Sequence, residues 1–425
     1  MTLSAAGVVV LGSGWLIAVL LVVILWSQRT QRRVDIRPPH RPQEIAQSMR
    51  PVEALVDGWL VDGNAVEVLQ NGDAFFSRLI DRIDAAQHHV HFETYVWWKG
   101  EICNRLGAAL CRRAEDGVDV RLLLDAFGSM TIDDALLESM RDAGCRVVMY
   151  HPFRLRTLGR LNKRDHRKVV VVDGRIGFVF GQGIATRWEG DAQDADHCRD
   201  TGLELTGPVV ARLQSAFARQ WMEASEEVLI QTSYFPALEA TGDIPVHVIA
   251  SSPRGGVSEV ALLFRLMLSS ASREVWVQTP YFSPGLDVVA LIVAAAGRGV
   301  DVRLMLPGEP TDVAWVRRSG QHLYERLLAA GVRIFEFRRT MLHQKILLVD
   351  GKWAHVGSTN FDERSFDINA ELSVGVLDQG VVAELRSAFE NDLQDADERL
   401  LDSWRTRSWL DRTIDRLAFA AHQQL

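Results

Sequence analysis

The stretch GVDVRLLL (117–124) recurs as GVDVRLML (299–306), with seven of eight positions identical. In both places an alanine-rich segment with helical spacing comes first, at 105–113 and 288–296, and the glycine follows as its C-terminal cap. The apolar, β-branched run after the glycine is typical of a buried strand. The repeat therefore predicts two copies of one structural unit in a single chain.

Similar segments surround both copies in the same order. HVHFETYVW (89–97) and EVWVQTPYF (274–282) precede the helices, and HRKVVVVDGRIGFVFG (166–181) and HQKILLVDGKWAHVG (343–357) come further on. An Asp-Gly pair between two apolar runs indicates a hairpin. Because strands and helices alternate, we expect an α/β fold with helices on both faces of a sheet.

The length of 425 residues allows two or three domains at about 150 residues each. We expect two duplicated lobes, 55–235 and 236–398, related by a pseudo-twofold axis. The net charge of −8 argues against a dedicated nucleic-acid-binding protein, which usually has a basic excess. Four scattered cysteines without a CxxC pair predict reduced thiols rather than a disulfide framework or a zinc site.

The N-terminal region predicts one transmembrane helix within residues 1–28. Residues 5–26 form an uncharged apolar run of the length that crosses a bilayer, and arginines follow it. The positive flank predicts that the rest of the chain is cytoplasmic, after a linker at 29–54. A cleavable signal peptide is the alternative, but no basic residue precedes the run and no small-x-small cleavage site follows it.

The C-terminal region, 399–425, has the spacing of an amphipathic helix, with tryptophans, leucines and a phenylalanine among Arg and Asp. Such a helix lies on a membrane surface or packs on the body of the protein, and the sequence leaves both possibilities open.

The two hairpins carry one motif twice, namely a histidine, a lysine two positions later and an aspartate five positions after the lysine. The residues are His166, Lys168 and Asp173, and again His343, Lys345 and Asp350. Side chains two apart on an extended strand face the same side. Lysine neutralises phosphate oxygens, while one imidazole can attack phosphorus and the other can protonate the leaving oxygen. This chemistry needs no metal or cofactor. We expect the aspartates to have turn and hydrogen-bond roles.

With these motifs, GSTNFDERSFDINAE (357–371), FETY (92–95), RDTGLELTGP (199–208) and TPYFSP (279–284) resemble the phospholipase D superfamily and, within it, the bacterial cardiolipin synthases. The likeness covers nearly everything from about residue 55 to 400. It implies phospholipase D-like lobes that transfer a phosphatidyl group from one phospholipid, phosphatidylglycerol above all, to the hydroxyl of another. The implied intermediate is a phosphatidyl-histidine, and glycerol is released.

The resemblance also implies roles for single residues. Lys168 and Lys345 would hold the phosphate, Asn360 would donate to the same oxygens, and Ser358 lies beside it. The first half reads FGQGIATRW (180–188) where the family usually has GGxN, so the matching asparagine is missing.

Gln182 and Thr186 are the candidate replacements for that asparagine as a hydrogen-bond donor. The resemblance implies further that Glu371 is the acidic partner of His343 and that Asp200 is its counterpart for His166. Each carboxylate would fix a tautomer and stabilise an imidazolium. Superfamily analogy favours His166 as the nucleophile, but the sequence does not decide this.

A basic cluster beside the first motif predicts attraction to anionic lipid headgroups. Its members are Arg154, Arg156, Arg160, Lys163, Arg164, Arg167 and Lys168. We therefore expect phospholipid substrates, a location at the bacterial cytoplasmic membrane and no nucleic-acid partner, while the oligomeric state stays open. The alternatives are a hydrolytic phospholipase D or a transferase with another acceptor, a nuclease, and a non-catalytic membrane scaffold.

Overall fold

The computed structural model describes residues 49, 52–56, 59–152, 162–252 and 258–421. Within this part of the chain no helix is both long enough and apolar enough to cross a membrane. The transmembrane helix predicted within residues 1–28 lies outside the described residues.

The first lobe is a mixed α/β unit in which three helices connect four successive strands and a fourth helix closes the repeat. Its strands are β1 (Val61–Gln70), β2 (His89–Thr94), β3 (Asp119–Asp125), β4 (Arg146–Tyr150), β5 (Val169–Val172), β6 (Ile176–Phe180) and β7 (Thr201–Thr206). Its helices are α1 (Asn71–Asp84), α2 (Glu101–Glu115), α3 (Asp134–Asp142) and α4 (Val210–Ser225).

The second lobe repeats this order with a few short additions. Its strands are β8 (Ile244–Ser251), β9 (Glu274–Gln278), β10 (Phe282–Ser283), β11 (Asp301–Pro307), β12 (Arg333–Phe337), β13 (Ile346–Val349), β14 (Trp353–Gly357), β15 (Phe361–Asp362), β16 (Glu371–Val376) and β17 (Ala396–Arg399). Its helices are α5 (Glu259–Ser270), α6 (Leu286–Gly297), α7 (Ala314–Ala329), α8 (Glu363–Asp367) and α9 (Gln379–Asp392), followed by α10 (Leu401–Arg405) and α11 (Trp409–Ala420).

One sheet of 15 strands joins the lobes in the order β17-β12-β11-β9-β13-β14-β16-β8-β1-β7-β6-β5-β2-β3-β4. Corresponding strands of the two lobes follow one another in the same order on either side of the β8–β1 contact, and β17 is an additional strand at one edge. In each lobe three strands are parallel (β2, β3 and β4; β9, β11 and β12) and the hairpin strands are antiparallel to them. The repeated octapeptide forms β3 and β11, and its glycines, Gly117 and Gly299, have φ of +87° and +88°, as helix caps require.

Alternation along the hairpin strands divides the core into layers. Val170 and Val172 point into the apolar core of the first lobe, whereas Val169 and Val171 point into a core that contains side chains from both lobes. Leu347 in β13 points into the core of the second lobe. The shared core holds the two hairpins against each other, and the segments that precede β5 and β13 are positioned by it.

Two of the predicted domain boundaries can be placed in the structure. Met49, Val52 and Val56 are buried in the apolar core of the second lobe, so the end of the predicted linker (29–54) belongs to the body. The predicted boundary between the lobes, at residues 235 and 236, falls in the connection between α4 and β8.

The C-terminal region forms two helices, and α11 packs on α7. Arg318 of α7 bridges to Asp411 and Asp415, at 3.0 and 3.3 Å, and Asp415 is buried. Trp409 and Leu417 stay exposed. Of the two possibilities left open by the sequence, packing on the body is the one that the structure shows.

Candidate active site

The histidine and lysine of each motif lie just before a hairpin strand, not within it. His166 and Lys168 precede β5, and His343 and Lys345 precede β13. All four side chains are buried. The expectation that they belong to the strands themselves was wrong by one to three residues, but the extended backbone still sends both side chains of a motif towards the same site.

Backbone hydrogen bonds tie each histidine to the opposite lobe. The amide of His166 donates to the carbonyl of Ala370 at 2.9 Å, and the amide of His343 donates to the carbonyl of Arg199 at 2.8 Å. Each acceptor is the residue immediately before a predicted carboxylate partner. The chain segment that carries one histidine is therefore fixed beside the acidic residue of the other lobe.

The imidazole–carboxylate pairs are accordingly crossed between the lobes. His166 Nδ1 lies 3.0 and 3.1 Å from the two carboxylate oxygens of Glu371, and His343 Nδ1 lies 2.6 Å from Asp200 Oδ2. The expected pairing, Glu371 with His343 and Asp200 with His166, is wrong. It was wrong because each acid was assigned to the histidine of its own half, whereas the lobes meet face to face.

The pairing fixes the tautomers. An ionised carboxylate can only accept a hydrogen bond, so Nδ1 carries the proton in both rings and Nε2 keeps its lone pair. Burial lowers the pKa of His166 to about 4, although Glu371 opposes this, and burial together with Lys345 lowers the pKa of His343 well below its usual value. Both imidazoles are therefore neutral at pH 7.

Two buried lysines supply positive charge between the imidazoles. Lys168 Nζ donates to the carbonyl of His166 at 2.9 Å, and Lys345 Nζ donates to the carbonyl of His343. Burial lowers the pKa of Lys168 to about 7 and that of Lys345 to about 8, with Glu371 and Asp200 opposing the shift. Burial thus disfavours the charged form of both lysines, and a phosphate anion bound beside them would favour it.

In the half of the site that contains Glu371, two polar residues have the expected positions. Ser358 Oγ donates to Glu371 Oε2 at 2.5 Å, and Asn360 lines the cavity. Burial raises the pKa of Glu371, but His166, Lys168 and this hydroxyl outweigh burial, and the net shift is downward. Glu371 is therefore ionised and supports a positive charge on His166.

The half that contains Asp200 is built differently. Trp188 Nε1 donates to Asp200 Oδ2 at 3.2 Å, and the amide of Thr201 donates to Asp200 Oδ1 at 2.8 Å. The indole also makes an edge contact with the imidazole of His343, at 5.0 Å between centroids. Burial raises the pKa of Asp200 to about 6, with Lys345 opposing the shift. The sequence placed Trp188 near a motif but did not identify it as the donor to this carboxylate.

Neither proposed replacement for the missing asparagine reaches the cavity. Gln182 is buried and its Oε1 accepts from the amide of Gly181, while Thr186 is exposed. Gly183 occupies the position that corresponds to Asn360, and a Cβ on it would lie 2.9 Å from the Trp188 ring. The indole therefore fills the space that an asparagine side chain would need.

Asp173 and Asp350 lie away from the cavity, in matching turns with φ of +53° and +55°. The carboxylate of Asp173 accepts from the amides of residues 87–89, and that of Asp350 accepts from the amides of residues 272–274. These bonds join the end of each hairpin strand to the start of the neighbouring parallel strand.

Both histidines open into one cavity of about 310 Å³. Its lining combines apolar side chains, cations and carboxylates from both lobes, namely Tyr95, Val96, Trp98, Arg164, His166, Lys168, Gly183, Trp188, Tyr281, Asp312, Val313, Val316, His343, Asn360, Asp362, Arg364 and Asn369. Arg364, Asp312 and Tyr281 were not singled out from the sequence, although Arg364 and Tyr281 stand inside quoted motifs. Arg167 of the basic cluster is buried and donates to the carbonyl of Ser251, so it is not available to a headgroup.

The family model described as "Cardiolipin synthase, PLD-like domain" matches the chain twice, at residues 79–221 and 264–393. The chain belongs to this family. Cardiolipin synthase 1 of Bacillus anthracis is 32% identical over 373 residues, which cover 86% of this chain and 73% of that protein. Cardiolipin synthase of Geobacillus thermodenitrificans is 36% identical over 332 residues, 77% of this chain and 66% of that protein.

A solved structure shares the phospholipase D-like fold. Phosphatidylserine synthase of Haemophilus influenzae Rd KW20 superposes with a TM-score of 0.70 at 14% identity, over 89% of this chain and 100% of that one. At this identity the likeness concerns the α/β architecture alone.

Proposed function

We propose that this protein is a phosphatidyltransferase of the phospholipase D type that makes cardiolipin. It transfers a phosphatidyl group from one phosphatidylglycerol to a hydroxyl of a second one and releases glycerol. Family membership supports the activity. The observation that carries the mechanism is the pair of neutral imidazoles, one from each lobe, that open into one cavity. Lys168 and Asn360 also line this cavity, and Lys345 lies beside His343.

The reaction proceeds by two displacements at phosphorus. Nε2 of one histidine attacks the phosphodiester, the bond from phosphorus to the glycerol oxygen breaks, and the other imidazole, protonated on substrate binding, gives its proton to that oxygen. The same imidazole then takes a proton from the acceptor hydroxyl, whose oxygen attacks phosphorus and displaces the first histidine. Lys168, Lys345 and Asn360 stabilise the charge on the non-bridging oxygens.

Carboxylates from the opposite lobe make the proton transfers possible. Burial lowers the pKa of both imidazoles even though each has a carboxylate partner, so neither ring binds a second proton at neutral pH on its own. The phosphate anion stabilises the charged form once it lies between the rings, and Glu371 or Asp200 stabilises it from behind. In this proposal a pseudo-twofold axis relates the two lobes. Each lobe supplies one catalytic histidine and the carboxylate that pairs with the histidine of the other lobe.

We also propose that the segment within residues 1–28 anchors the protein in the cytoplasmic membrane as a single span, with the body on the cytoplasmic side. The apolar run and the arginines that follow it support this topology. A fusion of a periplasmic reporter enzyme to the C-terminus should be inactive, and a cytoplasmic reporter at the same place should be active. The reverse pattern would contradict the proposed orientation.

The activity is tested by lipid product analysis. Purified full-length protein in mixed micelles with phosphatidylglycerol should give cardiolipin and glycerol in equal amounts. Phosphatidic acid without cardiolipin would identify a hydrolytic phospholipase D instead. The His343→Ala variant, prepared in parallel, controls for contaminating enzymes.

A further inference from the structure

Two arginines line the cavity in addition to Lys168. Arg164 comes from the first lobe, two residues before His166, and Arg364 comes from the second lobe. The Arg164 guanidinium lies 4.1 Å above the ring of Phe127, and Arg364 donates to the side-chain and backbone oxygens of Asn162, both at 3.0 Å. Both guanidinium groups are therefore positioned by neighbouring side chains at the wall of the cavity.

The arginines lie on the side of His166. Both interact electrostatically with Tyr95, whose ring contacts the His166 imidazole at 5.0 Å between centroids and lies 5.4 Å from Lys168 Nζ. The guanidinium groups also repel each other, because Arg164 contributes to lowering the pKa of Arg364, after burial as the larger cause. An anion bound near both guanidinium groups would offset this repulsion.

The opposite side of the cavity has no such pair among its described lining residues. Met341 stands where Arg164 stands in the other motif, two residues before the histidine, and it is buried. The wall near His343 carries Tyr281, whose hydroxyl donates to the carboxylate of Asp312 at 2.8 Å. Two guanidinium groups and the carboxyl group of Asp362 thus line the cavity on the His166 side, whereas the Tyr281–Asp312 pair lies near His343, although the fold of the two lobes is the same.

The proposed product explains why one site would need this asymmetry. Cardiolipin contains two phosphodiesters joined through one glycerol, so the acceptor lipid brings a second phosphate that is one glycerol unit from the reacting phosphorus. Lys168, Lys345 and Asn360 are committed to the first phosphate. A second anion in a buried cavity needs its own cations, and guanidinium groups bind phosphate oxygens through directed, charge-assisted hydrogen bonds.

We propose that Arg164 and Arg364 form a second phosphate site that binds the phosphodiester of the acceptor lipid. The site rests on the proposed function, because only transfer to a phosphorylated glycerol requires two phosphates at once. It would select acceptor alcohols in which a phosphate lies one glycerol unit from the attacking hydroxyl, and it would disfavour water and glycerol.

The test compares two soluble acceptors of the phosphatidyl group, with phosphatidylglycerol as the donor and full-length protein in mixed micelles. Glycerophosphoglycerol carries the second phosphate and glycerol lacks it. The glycerol is isotopically labelled, because its transfer product is phosphatidylglycerol itself and only the label distinguishes that product from the donor. The measured quantity is the ratio of kcat/KM for glycerophosphoglycerol to kcat/KM for glycerol. This ratio is informative even for a damaged enzyme, because a general loss of activity lowers both values alike.

The wild-type ratio should be well above one, and Arg164→Gln and Arg364→Gln should each lower it about tenfold, the effect of losing one charge-assisted hydrogen bond. Arg364→Lys should restore part of the loss. Arg338→Gln is the matched control, because Arg338 is exposed and pairs with Asp397. It should leave the ratio at the wild-type value.

A ratio near one in the wild type, or an unchanged ratio in Arg164→Gln, would overturn the proposal. If Arg364→Gln does not fold because the contacts with Asn162 are lost, Arg164→Gln decides alone, since its side chain stacks on Phe127 near the surface. Failure of the proposed function looks different, because the wild type would then transfer no phosphatidyl group to either acceptor.

Discussion

The two halves of the site contain the same imidazole, lysine and carboxylate but differ in what holds the carboxylate. Glu371 receives the hydroxyl of Ser358, whereas Asp200 receives the indole N–H of Trp188. Gly181 corresponds to Ser358, and a Cβ on it would lie 2.4 Å from Asp200 Oδ1, so a serine does not fit there. The duplicated halves thus preserve a hydrogen bond to the carboxylate but differ in the residue that donates it.

The change of donor has a second consequence for the phosphate. The Ser358 hydroxyl is small and leaves room for Asn360 at the cavity wall, but the indole of Trp188 needs the space in front of position 183. Position 183 is therefore a glycine, because a larger residue would collide with the Trp188 ring. In the proposed function the half with Asn360 donates to phosphate, whereas in the other half Trp188 contacts the imidazole of His343.

The strongest test of the equivalence of the halves is removal of either imidazole. His166→Ala and His343→Ala should each lower turnover by about 10⁴-fold or more, because each displacement needs both groups, and the double variant should be no worse. Steady-state cardiolipin formation measures the effect. If either single variant kept near-normal turnover, the site would work with one histidine.

The crossed pairing is tested by removing the carboxylate charge. Glu371→Gln and Asp200→Asn should each lower kcat by about 10³-fold to 10⁴-fold, as the tautomer is no longer fixed. Histidine-selective ¹⁵N NMR separates the pairs, because Glu371→Gln should shift the nitrogen resonances of His166 and leave those of His343 in place. Asp200→Asn should do the opposite. If Glu371→Gln instead shifted the resonances of His343, and Asp200→Asn those of His166, each histidine would pair with the carboxylate of its own half.

Removing either lysine should cost transition-state stabilisation in equal measure, since the lysines flank one phosphate. Lys168→Ala and Lys345→Ala should each raise the barrier by roughly 2–4 kcal/mol, which is about a 10²-fold to 10³-fold loss of kcat/KM. A near-normal rate in either variant would remove that lysine from the phosphate site. Thermal denaturation of the variants checks that they are folded.

The pH profile of kcat/KM should distinguish the halves as well. It should fall as the pH drops through about 6, where Asp200 gains a proton, and as the pH rises through about 7 to 8, where Lys168 and Lys345 lose theirs. In Lys168→Arg the basic limb should move up towards the pKa of Lys345, because a guanidinium keeps its proton. A profile flat from pH 5 to about 9 would contradict the lowered lysine pKa values.

The smallest expected effect concerns the two donors to the carboxylates. Trp188→Phe and Ser358→Ala should each lower kcat/KM about tenfold, the cost of one buried hydrogen bond. Trp188→Phe should also move the acid limb to higher pH, because the indole N–H lowers the pKa of Asp200. Ser358→Ala should leave that limb in place. If the acid limb of the Trp188→Phe profile lay at the same pH as in the wild type, the indole N–H would not influence the pKa of Asp200, and the tryptophan would contribute packing alone.

Much of the fold could be predicted because it depends on short-range patterns. The octapeptide repeat, the glycine caps and the Asp-Gly turns are local features, and β3, β11 and both hairpins appear where these features indicate them. The histidines and lysines could be found for the same reason, since two copies of one motif identify them. The Trp188–Gly183 contact could not, because nothing local relates the size of an indole to a glycine five residues earlier.

The sequence alone determined the repeated α/β pattern, the histidines and lysines of the site and the family to which the chain belongs. Tertiary structure alone decided which acid serves which histidine and which cations share the cavity with them. His166 and Glu371 are 205 residues apart, and His343 and Asp200 are 143 apart. No periodicity extends over such separations, so partners are chosen when the two lobes pack through their shared apolar core.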